Sequence, residues 1–125
     1  MALAVLCCLA AAASAADFSV TMAEVARNPA DYVGQRVVIS DCLMISFTRI
    51  LGAQCSVAPI DASVTLYVDS DTMDEPTKKL AEGCFALEES RMCTLKVTGE
   101  VSLNYRLQVV ILHGTLEVVN RPAAI

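Results

Sequence analysis

From Cys93 to Leu103 the chain alternates without a break: Cys93, Leu95, Val97, Gly99, Val101 and Leu103 share one parity, and Thr94, Lys96, Thr98, Glu100 and Ser102 the other. A period of two puts successive side chains on opposite faces of a pleated strand, so the segment predicts a strand with one buried and one wetted face. A helix cannot use this pattern, because its apolar positions must recur every three to four residues. The buried face needs partners, and the rest of the sequence supplies further strands.

The stretch RVVISDCLMISF, residues 36–47, is β-branched and apolar. Strict alternation assigns Val37, Ile39, Leu43, Ile45 and Phe47 to one face, interrupted by Asp41, with Val38, Ser40, Cys42, Met44 and Ser46 opposite. Apolar residues on both faces imply a strand that bends or carries a bulge, as barrel strands must. A turn over residues 48–52 leads to a strand over 53–57. After a second turn at 59–62, Val64, Leu66 and Val68 alternate with Thr65, Tyr67 and Asp69. Beyond 93–103, Asn104-Tyr105-Arg106 forms a turn and residues 107–112 the fifth strand, which 116–119 extends or reverses.

Two helices punctuate the strands. Thr21 and Glu24 fit a capping box, and Val20 and Val25 occupy the positions of a hydrophobic staple. Pro29 stops that helix, because the residue before a proline is pushed out of the α region. The second helix starts after Asp74, where Pro76 is tolerated in the first turn, and runs through about Glu82, with Gly83 as its C-terminal stop.

Residues 1–16 are apolar except for Ser14 and end in small residues. The run is too short to span a bilayer, which needs about 20 residues. It reads as a secretory signal peptide removed near Asp17, although no Lys or Arg precedes it; an uncleaved N-terminal anchor is the alternative. The chain then divides into residues 1–16 as leader, 17–119 as a single domain and 120–125 as a loose tail. Cys7 and Cys8 leave with the leader, and Cys42, Cys55, Cys84 and Cys93 remain. An even set in an exported chain predicts disulfides. Cys42–Cys55 and Cys84–Cys93 join neighbouring elements, and each closes a loop worth on the order of 2–3 kcal/mol. The expected compartment is periplasmic or extracellular, with no membrane span once the leader is gone.

The order of helix, three strands, helix and two or three strands predicts a mostly β fold. It is the layout of a five-stranded OB-fold-like Greek-key barrel, with a short N-terminal helix and one helix between the third and fourth strands. Asn28-Pro29, Tyr32, Gly34 and Arg36-Val37 before a long β run, with the later Lys96-Val97-Thr98-Gly99-Glu100-Val101, resemble the small bacterial periplasmic OB-fold proteins of the nucleic-acid-binding OB-like superfamily. The resemblance covers residues 20–119.

Enzyme chemistry finds little support. His113 is the lone histidine and sits at the end of an apolar strand beside Gly114, where a hydrogen-bonded structural role is expected. No nucleophile elbow surrounds any serine, and all four remaining cysteines can pair. The acidic run from Asp69 to Glu75 lacks the central glycine of an EF-hand and places Met73 at a liganding position, so its carboxylates are expected to favour a helix N-terminus. No cofactor and no metal are expected. The net charge of −5 works against polyanion binding.

The resemblance implies a groove flanked by loops. The expected function is a non-enzymatic binding or interaction module for an envelope protein or small ligand, with Arg49, Tyr67, Tyr105 and Arg106 as ligand-binding residues. Single-stranded nucleic-acid binding, which needs stacking aromatics and a basic groove, is one alternative, with Phe47 expected in the core rather than at such a site. A divalent-cation-binding stress protein is another.

Overall fold

The computed structural model describes residues 17–85 and 93–120. Residues 1–16, where a signal peptide is expected from the sequence, and residues 86–92 and 121–125 lie outside the described residues.

Nine elements follow in order. A short strand β1 (Phe18–Val20) leads into helix α1 (Met22–Arg27) and a single 3₁₀ turn (Pro29–Asp31). Strands β2 (Arg36–Thr48), β3 (Gly52–Ser56) and β4 (Thr65–Val68) come next, then helix α2 (Glu75–Phe85), β5 (Thr94–Leu103) and β6 (Val109–Asn120). The strands pair in the order β1-β2-β3-β4-β6-β5, and a further β2–β5 pairing closes β2 to β6 into a five-stranded barrel. Barrel neighbours are antiparallel except β4 and β6, which run parallel. The layout is that of an OB-fold-like barrel, with α2 between the third and fourth barrel strands.

The small strand β1 was not expected from sequence. It pairs parallel to β2, Phe18 opposite Val37 and Val20 opposite Ile39, and Asp17 beside it takes Arg36 Nε at 3.0 Å. Helix α1 follows its sequence signals: Thr21 Oγ1 accepts the Glu24 N–H at 3.1 Å, and Met22 and Val25 are fully buried in the core.

Strand β2 corrects the simple alternation. Val37 and Ile39 are buried, then Cys42 and Met44, then Phe47, while Leu43 and Ile45 are only partly buried. The ladder with β5 shifts register between Ile39 and Cys42, and the ladder with β3 shifts between Met44 and Ser46. Each irregularity inserts a residue and flips the inward parity. The strand therefore bends twice, presenting one half to β1 and β5 and the other to β3.

Cys42 and Cys55 sit at disulfide-bonding distance, Cα–Cα 5.0 Å, and Cys84 and Cys93 likewise at 5.7 Å. The first pair ties β2 to β3. The second ties the last turn of α2 to the start of β5. Helix α2 begins as predicted, with Asp74 Oδ1 accepting the Thr77 N–H at 2.9 Å. It does not stop at Gly83 but continues to Phe85. The last turn is held by burial of Ala81 and Cys84 and by the pairing with Cys93, which together outweigh the helix-breaking tendency of one glycine.

Strand β6 continues past Gly114, with Asn120 opposite Thr94. Its ladder with β5 is irregular opposite Gly99, where His113 takes a left-handed backbone with φ of 52° and donates its N–H to Thr72 Oγ1 at 2.7 Å. A Cβ at Gly99 would stand 2.8 Å from the Leu112 carbonyl oxygen, so the close approach of β6 there requires glycine.

Candidate functional site

Outside the barrel, the alternation that buries Leu66 and Val68 of β4, Val101 of β5 and Ile111 of β6 turns the intervening residues outward. Tyr67 lies level with Val110, and Val110 with Ser102, across the three adjacent strands. Two residues further on, Asp69, just past the end of β4, and Leu112 of β6 continue the same rows, and the Asp69 N–H donates to the Ile111 carbonyl at 2.9 Å.

This outer face forms the floor of a groove of about 520 Å³. Leu51, from the turn between β2 and β3, closes one end; Tyr105 and Arg106, from the turn between β5 and β6, close the other. The volume is within the range of small-molecule and cofactor sites, on the order of 300–1,000 Å³.

The two turns are built locally. Gly52, with φ of 96°, lets the chain reverse against β4, and a Cβ there would lie 2.9 Å from Ser70 N and still closer to the Val68 carbonyl. In the other turn, Asn104 Oδ1 accepts the N–H groups of Arg106 and Gln108, each at 2.9 Å, and Asn104 Nδ2 donates to Gln108 Oε1 at 2.9 Å. That asparagine is consumed in shaping the loop. These bonds shape the turn that sets Tyr105 and Arg106 at the rim, the Arg106 guanidinium 5.3 Å from the Tyr105 ring centroid.

Of the four residues singled out from the sequence, Tyr67, Tyr105 and Arg106 line this groove together. Arg49 does not. Its Nη1 lies 2.6 Å from Glu75 Oε1 and its Nε meets Glu82, both on α2, while its carbonyl accepts the Ser70 hydroxyl. Hydrogen bonding from Arg49 holds the Glu75 carboxyl below its ordinary range, and the same contact, despite partial desolvation, raises the guanidinium. The guanidinium is committed to fastening the β2–β3 turn onto α2.

Asp69, Leu51, Val110, Leu112 and Gln108 also line the groove, and sequence reasoning did not assign them. A signal was available for two of them. The run Val109-Val110-Ile111-Leu112 is apolar on both parities, so one parity had to cover something other than the barrel core. Phe47, by contrast, is buried in the core at 5% exposure.

The acidic run disperses. Asp74 caps α2, Glu75 pairs with Arg49 and Asp69 joins the groove. Among the described residues no group of three or more His, Cys, Asp or Glu side chains is placed to hold a metal ion. Also among the described residues, no helix is long and apolar enough to cross a membrane.

The groove brings together apolar Val110 and Leu112, two tyrosines, one carboxylate and one guanidinium. No protein-family model matches the chain, and no curated protein matches it.

Proposed function

We propose that this protein is a non-enzymatic binding module of the cell envelope, which takes an envelope protein or small ligand in the groove on the outer face of β4, β6 and β5. The observation that carries the reading is the convergence of Tyr67, Tyr105 and Arg106 on one concave surface with a partly apolar floor. An exposed loop presenting Tyr105 and Leu107, 87% and 76% accessible, beside a rigid barrel suits partner recognition. Two cysteine pairs at bonding distance suit an oxidising compartment, which supports a periplasmic or secreted setting.

Electrostatics favour this reading over single-stranded nucleic acid. Among the described residues Arg106 is the sole cation lining the groove, Asp69 opposes it, and the chain carries a net charge of −5. The test is crosslinking capture from envelope extracts with the oxidised protein as bait at physiological salt, run beside the Tyr67→Ala/Arg106→Ala variant. A partner or ligand retained by the parent and lost by the variant is the expected result. Equal retention by both sinks the reading.

A further inference from the structure

The two charged residues of the groove stand at opposite ends of it. Asp69 is level with Leu112, and Arg106 lies in the turn beyond Gln108, on the far side of the Tyr67–Val110–Ser102 row. A strand rises about 3.3 Å per residue, so the four steps from Leu112 to Gln108 set the backbone at the two ends of this row about 13 Å apart. Neither is spent elsewhere: among the described residues, neither the Asp69 carboxylate nor the Arg106 guanidinium has an ion-pair partner. Between them the floor is Val110, with the Tyr67 ring beside it.

From this arrangement we infer that the groove takes an extended peptide segment with a basic side chain at one position, an acidic one four residues along, and an apolar residue midway. This rests on the groove being the binding site, as proposed above. An extended chain repeats every two residues on one face, so positions i, i+2 and i+4 meet Asp69, the Val110–Tyr67 floor and Arg106 in turn. A polyanion would set a phosphate against Asp69, and an anionic lipid surface would do the same. A neutral sugar leaves both charges uncompensated. A peptide of mixed charge satisfies each end and buries an aliphatic side chain between them. The stacking of Arg106 on Tyr105 holds the guanidinium in place before binding, which lowers the ordering cost.

The test uses the oxidised protein and four end-capped pentapeptides, Lys-Ala-Leu-Ala-Glu, Lys-Ala-Leu-Ala-Lys, Glu-Ala-Leu-Ala-Glu and Gln-Ala-Leu-Ala-Gln, followed by amide chemical shifts. The mixed-charge peptide should bind at least about threefold more tightly than the neutral one, with shifts centred on Tyr67, Asp69, Val110 and Leu112. In the Asp69→Lys variant the preference should move to the peptide with two glutamates, which a merely structural role for Asp69 would not produce. Equal affinity for all four peptides, shifts away from the groove, or an unchanged preference in the variant overturns the inference. Maltotriose and an oligothymidine strand are titrated alongside. Groove shifts from either one, with none from the peptides, overturn the peptide assignment while keeping the groove as the site. Silence from every probe also overturns it, and the groove reading then stands or falls on the capture experiment.

Discussion

The Asp41 carboxylate accepts the backbone N–H of Met22 at 2.9 Å, joining a bulge in β2 to the first turn of α1. Asp41 interrupts an apolar strand, and this bond gives the interruption a purpose. The bulge turns the residue out of the barrel, where its charge meets an unpaired N–H at the positive end of a helix.

Asp41→Ala should therefore cost about 1 kcal/mol of unfolding free energy, the usual range for losing an acceptor at a helix start. Asp41→Asn should recover part of that loss, because the amide oxygen can still accept. Urea denaturation of the three proteins checks both. An alanine variant as stable as the parent would show that the contact contributes nothing.

Removal of the Cys84–Cys93 pair should destabilise the protein by roughly 2–3 kcal/mol, as expected for closing a loop of this size. The same bridge holds the last turn of α2, so the double variant Cys84→Ala/Cys93→Ala should also lose hydrogen-exchange protection around Leu80 to Cys84 while the barrel strands keep theirs. Peptide mapping without reductant should link Cys42 to Cys55 and Cys84 to Cys93. A crossed pairing would contradict the placement of α2 against β5.

Much of the barrel was readable because its signals are local. The alternation of 93–103, the capping residues Thr21 and Asp74 and the cysteine spacing each depend on neighbours along the chain. What escaped depends on tertiary partners. The parity changes of β2 at Asp41 and Ile45 are set by register against β5 and β3, and no local preference marks them. The parallel strand β1 has no turn to announce it. Tyr67, Tyr105 and Arg106 were legible as polar or aromatic residues near loops. Arg49 looked the same in sequence, and only the packing of α2, which brings Glu75 and Glu82 to it, places it away from the groove that the other three line. Asp69 was hidden within an acidic run whose members scatter once folded.

Stability should fall in acid for identifiable reasons. Hydrogen bonds from the side chain and backbone of Thr77 hold the Asp74 carboxyl below its ordinary range, those of Ser63 do so for Asp61, and the bond from Arg49 does so for Glu75. A carboxyl depressed in the folded state binds protons more readily when unfolded. Its contribution is complete above the unfolded value, near 4 for these groups by an approximate reference scale, and is lost as pH falls through the lower folded value. Urea midpoints should be flat from about pH 7 to 5 and decline below that. Asp74→Asn keeps an acceptor at the cap but cannot titrate, so its acid decline should be shallower than the parent's. A decline of equal steepness would remove Asp74 from the explanation.

Two glycines should respond to alanine in opposite directions. Gly83 lies inside α2 with open space where a Cβ would point, and its backbone is helical. Alanine there removes unfolded-state freedom without strain and should stabilise the protein by about 0.5–1 kcal/mol. Gly52 has φ of 96° and no room, because a Cβ would collide with the Val68 carbonyl oxygen and crowd Ser70 N. Alanine there must move β4 or change the turn, so the loss should exceed about 2 kcal/mol. The displaced turn carries Leu51, so binding in the groove should weaken in Gly52→Ala and not in Gly83→Ala. Thermal melts of the two variants decide the stability claim. If both substitutions destabilise, α2 does not extend through Gly83 in solution; if neither does, the β2–β3 turn is looser than its contacts with β4 require.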